Sequence, residues 1–189
     1  MKDFFTEDES AAEDDKGIFA IRGDLDGTKD AADYSELQQF IGLLIEGEEF
    51  LLPIEVMNEI IMINQMTWVP GSPNFVEGVI NLRGRILPAI NLRRMMGYPA
   101  KAPTLASRII IASHEEEVCG LLVDGITYVV SLSPDQVEDQ TLGNGSGAEL
   151  LKGISKRGDQ VNGILDILKV ITEAASGQDL FAEEDDEAA

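Results

Sequence analysis

The residue types used in acid–base or nucleophilic catalysis are sparse along this chain of 189 residues. His114 is the single histidine and lies in SHEEE, at an expected hairpin turn without the shielding that a general base needs. Cys119 is the single cysteine, and its place between Val118 and Gly120 favours a buried inert thiol over a nucleophile. One histidine and one cysteine cannot complete a zinc tetrahedron. Neither residue predicts a catalytic or metal centre.

The carboxylates and the glycine-rich segment do not predict a site either. Glu48-Glu49 and Glu115–Glu117 fall at turns, and adjacent strand residues point to opposite faces, so neither forms a natural acid–base pair. GNGSG at 143–147 lacks the Lys-Ser/Thr of a phosphate-binding loop, and Asp124-Gly125 is typical of a turn. We therefore predict no catalytic residue, no cofactor and no metal, which disfavours an enzyme such as a carboxylate-dependent hydrolase.

Arginine is the residue type whose placement is unusual. Arg83 and Arg85 flank Gly84 inside the apolar stretch GVINLRGRILPAINL, and Arg93 and Arg94 follow within a few residues. This grouping predicts a local positive patch in an acidic protein. It is typical either of a hairpin kept soluble by charge or of an arginine that pairs with a carboxylate and presents an ordered surface to a partner. Composition alone leaves both interpretations open.

The net charge of −21 is concentrated at the two ends of the chain. Residues 1–35 carry 11 acidic and 4 basic residues, and residues 173–189 carry 7 acidic residues and no basic one. We predict a disordered acidic tail over 1–37, a folded domain over 38–173 and a second acidic tail over 174–189. The negative field disfavours nucleic acid and anionic lipid as partners.

The expected compartment is the cytoplasm. A lone cysteine excludes an intrachain disulfide and favours reducing surroundings. The first residues, MKDFFTEDES, do not resemble a signal peptide, and no apolar run reaches the roughly 20 residues of a membrane-spanning helix. No membrane insertion is predicted.

The apolar pattern predicts short strands in two similar halves, about 38–98 and 107–173. FIGLLIEGEEFLLPI, from Phe40, reads as strand, turn and strand, and residues 108–130 repeat the pattern of 40–61 with Glu48-Glu49 set against Glu116-Glu117. VINLRGRILPAINL returns as ISKRGDQVNGILDI, with Arg157-Gly158 set against Arg83-Gly84. About ten strands with little helix predict two packed β-barrels of five strands each. We expect a flexible loop at 133–149 and a short closing helix at 166–174.

Three stretches also resemble a known family. They are VMNEIIMI…PGSPNFVEGVINLRGRILPAINLR at 56–93, GLLVDGITYVVSL at 120–132 and LLKGISKRGDQVNGILDI at 150–167. Together they resemble the CheW family, the coupling proteins of bacterial chemotaxis, over about 39–172. The resemblance implies an all-β fold of two intertwined five-stranded SH3-like β-barrels. It also implies a non-enzymatic adaptor that binds the regulatory domain of a CheA-type histidine kinase and the membrane-distal cytoplasmic tip of chemoreceptors.

The resemblance carries over to particular residues. It implies that Arg83 of the Asn-Leu-Arg-Gly motif pairs with Glu59, and that Met57 lies in a surface for receptor contact. We expect the pair to order the hairpin beside a groove between the barrels, where a receptor helix would meet apolar side chains. The residues expected to bind partners are Met57, Glu59, Ile60, Gly78, Asn81 and Arg83.

Two alternatives remain open within this resemblance. Arg108 stands where the family has an apolar residue, so the chain could be a CheW-like scaffold that acts only on the kinase side. The pathway could also be one that controls pili or gene expression rather than swimming.

Overall fold

The structure, a computed structural model, describes residues 37–139 and 147–179. Its strands form two sheets in which most neighbouring strands are antiparallel. Tight turns separate many of the strands. Glu46-Gly47, for example, takes the positive φ angles of 52° and 82° that a two-residue hairpin turn requires. The strands are β1 (Gln38–Ile45), β2 (Glu48–Pro53), β3 (Met57–Met62), β4 (Val76–Leu82), β5 (Arg85–Asn91), β6 (Arg108–His114), β7 (Glu117–Val123), β8 (Gly125–Leu132), β9 (Val137–Glu138), β10 (Leu151–Arg157) and β11 (Gln160–Leu165). The helices are α1 (Leu92–Met95) and α2 (Ile167–Asp179).

The two halves of the chain exchange their first hairpins. One sheet has the order β3-β6-β7-β5-β4, so the β6–β7 hairpin of the second half lies among strands of the first. The other has the order β8-β1-β2-β11-β10-β9, so the β1–β2 hairpin of the first half lies among strands of the second. Each exchanged hairpin pairs with strands of the other half, on one side in an antiparallel and on the other in a parallel arrangement. The predicted intertwined all-β fold is therefore confirmed.

The pairing fixes how the halves correspond. Glu48 and Glu117 each begin the strand that follows the first hairpin turn, because they pair with Ile45 and His114. The expected match of Glu48 with Glu116 was therefore wrong by one residue. The second hairpins differ in the same way: Arg83-Gly84 forms the β4–β5 turn, whereas Gly158-Asp159 forms the β10–β11 turn.

Short segments close each sheet into a barrel. In the five-stranded sheet, the backbones of Thr67, which follows β3, and Val79 on β4 exchange hydrogen bonds of 2.9 and 2.8 Å. The Thr67 carbonyl passes so close to Gly78, which has a φ of 147°, that a Cβ there would collide with it. In the six-stranded sheet, β9 follows β8 after one 3₁₀ turn and pairs with β10.

Three apolar clusters hold this arrangement together. One lies in the five-stranded barrel around Ile80 and Ile109, and one in the six-stranded barrel around Phe40 and Ile164. The third is shared by both sheets, and α2 covers part of it with Ile167, Val170 and Ala174. This spacing of three and four residues is that of one helical face, so the expected closing helix is confirmed, with a longer span than 166–174.

One further expectation needs correction. The segment 133–149 is not a loop throughout, because it contains a 3₁₀ turn at Pro134–Gln136, capped by Ser133, and the short strand β9. Most of GNGSG lies in 140–146, outside the described residues, as do both acidic tails apart from Leu37 and the segment 174–179.

Candidate functional site

The Arg83 turn is ordered by two side chains of the predicted site. Arg83 and Gly84 have φ angles of 52° and 86°, and the side-chain oxygen of Asn81 accepts a 2.8 Å hydrogen bond from the backbone N–H of Gly84. Arg83 Nη2 lies 2.9 Å from Glu59 Oε2, while the arginine side chain stays 79% exposed. The expected ion pair is present, and most of the guanidinium still faces solvent.

Met57, Glu59 and Ile60 are divided between the two faces of β3, whereas Gly78 lies on β4 against the Thr67 carbonyl. The ladder to β6 shifts between Met57 and Glu59, so that Met57 pairs with Ala112 and Ile60 with Ile110, two residues apart on β6. Met57 and Ile60 therefore share a face, and Glu59 lies on the other. Met57 packs against the shared apolar cluster, whereas Ile60 is 40% exposed.

An open groove of about 720 Å³ lies beside this hairpin. Asn64 and Gln65 line one side, and Ile80, Asn81 and Ile86 line the other. The groove follows the seam where the five-stranded barrel closes. We expected a groove between the two barrels, but this cavity lies on the five-stranded barrel alone. Ile86 is 62% exposed next to the turn. We use the name Arg83 face for the edge of the barrel around this turn, which includes Arg83, Ile86, Glu59 and, on the other side of β3, Ile60.

The four arginines do not form one positive patch. The side chain of Arg93 is only 5% exposed and forms ion pairs with Glu46 and Asp124, at the turns after β1 and β7. Arg94 contacts Glu77 at 3.4 Å. Only Arg83 and Arg85 are exposed, and Glu59 neutralises Arg83. The predicted positive patch was wrong because acidic side chains distant in sequence fold onto the arginines.

The six-stranded barrel carries a second ordered arginine that the site prediction missed. Arg157 lies with its guanidinium carbon 5.3 Å from the ring centroid of Tyr128, a cation–π contact. Two exposed valines lie nearby in sequence. Val129 follows Tyr128 and is 55% exposed, and Val161 is the second residue of β11 and is 59% exposed. We call Tyr128, Val129, Arg157 and Val161 the Arg157 face.

The two faces occupy equivalent places in the two barrels. Val129 pairs with Ile41 on β1, as Ile60 pairs with Ile110 on β6, and Val161 follows the first residue of β11 as Ile86 follows that of β5. Tyr128 precedes Val129 as Glu59 precedes Ile60, so the arginine partner is a tyrosine in one barrel and a glutamate in the other. The repeated Arg-Gly was the signal that could have found this second face.

The residues set aside as catalytic candidates have ordinary surroundings. Burial raises the pKa of the Cys119 thiol to about 12, with the nearby Glu117 charge acting in the same direction, which keeps the thiol protonated. Asp124 is the ion-pair partner of Arg93. Within residues 37–139 and 147–179, no group of three His, Cys, Asp or Glu side chains is placed to hold a metal ion. No helix in those ranges is long and apolar enough to cross a membrane.

The fold and the paired faces define a class of protein, an all-β double barrel of exchanged halves with two ordered surface arginines. Residues 39–175 match the CheW-like domain, so the chain belongs to that family. The chemotaxis protein CheW of Helicobacter pylori is 30% identical over 158 residues, covering 82% of this chain and 94% of that protein. The CheW of Thermotoga maritima is 35% identical over 139 residues, covering 72% and 91%.

A solved structure agrees with the sequence comparisons. The scaffolding protein TtCheW from Thermoanaerobacter tengcongensis superposes with a TM-score of 0.65 at 28% sequence identity. The match covers 69% of this chain and 89% of TtCheW. The resemblance seen in the sequence is therefore confirmed.

Proposed function

We propose that this protein is a non-enzymatic chemotaxis adaptor in the cytoplasm that couples chemoreceptors to a CheA-type histidine kinase. Its relatives are named chemotaxis proteins, and the matching structure is described as a scaffolding protein. An adaptor of this kind needs two docking surfaces that do not overlap. The observation that carries the proposal is the presence of two equivalent faces, one on each sheet.

Each face has the composition of a protein-docking surface. Each face has an ordered arginine, a residue type enriched at protein interfaces, together with exposed apolar side chains that a partner could cover. We assign the Arg83 face to the receptor tip, because the groove beside it, which Ile80 and the exposed Ile86 line, suits the apolar side of a helix. We assign the Arg157 face to the regulatory domain of the kinase.

The ion pair between Arg83 and Glu59 contributes mainly to positioning. An exposed pair of this kind adds only about 0.2–1 kcal/mol to stability. Holding the guanidinium in one place lowers the ordering cost when a partner binds. Losing this pair should therefore affect binding more than folding.

Calorimetric titration of the full chain tests the assignment. We expect the wild-type protein to bind both a receptor-tip fragment and the kinase regulatory domain from the same genome. Arg83→Glu should weaken receptor binding by about tenfold or more, since it places two carboxylates together and removes the cation. The melting temperature should change little.

Arg85→Glu is the matched control, because Arg85 is also an exposed arginine, on the other side of Gly84. It should leave receptor binding nearly unchanged. Equal losses of receptor binding for both variants would mean that the effect comes from the change in net charge and not from Arg83 itself. Loss of folded protein in Arg83→Glu would show that Arg83 has a structural role instead. Kinase binding without receptor binding in the wild-type protein would instead favour the kinase-side scaffold.

A further inference from the structure

Glu49, on β2, is the centre of a polar network beneath the Arg157 face. Its Oε1 accepts a 2.6 Å hydrogen bond from the Thr127 hydroxyl, and its Oε2 accepts one of 2.6 Å from the Tyr128 hydroxyl. The side-chain amide of Asn162 donates to the backbone carbonyl of Glu49 at 3.1 Å and approaches Oε2 at 3.4 Å. Three strands thus meet at one half-buried carboxylate.

A bulge allows two consecutive residues to reach the same carboxylate. Adjacent residues of a regular strand point to opposite faces. In the β1–β8 ladder, Ile41 pairs with Val129 and Leu43 with Ile126, so Thr127 and Tyr128 together stand opposite Gly42 alone. A Cβ on Gly42 would collide with the Thr127 hydroxyl, so the missing side chain makes room for the network.

The network is linked to Arg157 through the tyrosine ring. Glu49 holds the hydroxyl end of Tyr128, and the guanidinium of Arg157 lies over the ring. Arg157 Nη2 also lies 3.2 Å from Gln160 Oε1. Both contacts are to neutral groups, so the positive charge remains available for a carboxylate of a partner.

The five-stranded barrel lacks this network at the equivalent place. Val118 follows Glu117 as Glu49 follows Glu48, and Ile111 takes the position of Gly42 opposite the β3 bulge. Both positions are apolar there, and Ile111 belongs to the barrel core. The network therefore distinguishes the Arg157 face from the Arg83 face.

We propose that Glu49 is a positioning residue that fixes Tyr128 and Arg157 for a partner surface carrying a carboxylate between apolar side chains. This inference rests on the proposed function, in which that partner is the regulatory domain of the kinase. Glu49 itself lies below the contact surface and acts through the tyrosine ring.

The test combines Glu49→Gln, Tyr128→Phe and the double variant in calorimetric titrations against the kinase regulatory domain. Glutamine has one acceptor oxygen in place of two and carries no charge, so it cannot accept from both hydroxyls, and any bond that Tyr128 keeps is weaker. We expect each single variant to weaken binding about 3- to 10-fold. The double variant should be no weaker than Tyr128→Phe alone, because both changes break the same link. Receptor-tip binding should stay at the wild-type level.

Nuclear magnetic resonance of the Arg157 side chain provides a readout that does not depend on the partner. In the wild-type protein the Arg157 Nε–Hε signal should show the upfield ring-current shift of a stacked guanidinium, and Glu49→Gln should remove it. An unchanged signal overturns the proposal, as do multiplicative losses in the double variant or equal losses for both partners. Absence of kinase binding by a wild-type protein that shows the shifted signal would instead overturn the proposed function and leave the positioning role supported.

Discussion

The second hairpins of the two halves, β4–β5 and β10–β11, occupy equivalent places in their barrels yet hold their arginines by different physical means. Arg83 lies in the turn and pairs with a carboxylate, whereas Arg157 ends a strand and stacks on a tyrosine. An exposed ion pair is screened by salt, but a cation over an aromatic ring keeps its charge available. Equivalent positions in a duplicated fold can therefore present a neutralised and an available arginine.

The largest expected effect comes from the framework common to both hairpins. Arg93→Ala removes a buried cation from the partly exposed carboxylates of Glu46 and Asp124, which we expect to cost about 2–4 kcal/mol of unfolding free energy in urea titrations. Both faces should lose their partners together as the fold fails. Arg85→Ala, at an exposed arginine, should stay within about 0.5 kcal/mol of wild type. A similar small loss for Arg93→Ala would contradict the buried ion pairs.

Gly42→Ala should affect the Arg157 face and leave the Arg83 face intact. The added Cβ displaces Thr127 from Glu49, so we expect a loss of about 1–3 kcal/mol and weaker binding at the Arg157 face. Gly125→Ala is the control on the same ladder, because its Cβ would meet its nearest neighbour at 3.8 Å, an ordinary contact. Binding at the Arg83 face should survive both changes. Equal destabilisation by the two variants would argue against the Gly42 contact.

Lysine substitutions sharpen the contrast between the two arginines. Lysine keeps the charge and loses the planar guanidinium, so Arg83→Lys should retain its attraction to Glu59 while Arg157→Lys should lose its stacking. We expect Arg157→Lys to weaken kinase binding by about 0.5–1 kcal/mol. Arg83→Lys should weaken receptor binding by a smaller amount. Titrations at two salt concentrations check the reason, since kinase binding through the available charge of Arg157 should weaken more with salt than receptor binding through the neutralised Arg83. A larger loss of binding for Arg83→Lys than for Arg157→Lys would contradict the different roles of the two arginines.

The smallest effect is expected at high pH. Burial raises the pKa of Tyr128, and its hydrogen bond to Glu49 raises it further, because both favour the neutral phenol. The pKa of Tyr98 is raised to about 12 by burial and by its 2.7 Å hydrogen bond to Glu48. A phenol whose pKa is higher in the folded state stabilises the fold fully below pH 10, and this contribution declines above it. Absorbance at 295 nm should show later ionisation in the native than in the unfolded protein, and Tyr128→Phe should remove part of the delay.

The sequence was sufficient for features that repeat. Strand–turn–strand patterns with two-residue turns predicted the barrels, and the doubled pattern predicted their similarity. The Arg-Gly pair predicted a hairpin turn. These features depend on local periodicity, which a single chain displays directly. The pairing of Arg83 with Glu59 was implied by the family resemblance and not by the local pattern.

Other features depend on contacts that no local pattern encodes. The shift of Arg157 out of the turn follows from a one-residue change in register, which the two Arg-Gly pairs conceal. The burial of Arg93 depends on Glu46 and Asp124, which are far from it in sequence. The Glu49 network depends on a bulge opposite Gly42, which only the pairing of β1 with β8 reveals.

The hairpin exchange has a bearing on how the protein is made. β1 and β2 are synthesised first, yet their neighbours β8 and β11 begin only at Gly125 and Gln160. At about 5–20 residues per second, the first hairpin waits roughly 4 to 14 seconds for β8 to emerge. We expect ribosome-bound chains that end before β8 to be cut readily by protease near β1 and β2. The six-stranded barrel therefore cannot form until nearly the whole domain has left the ribosome, whereas the five-stranded barrel has all its strands once Val123 has emerged.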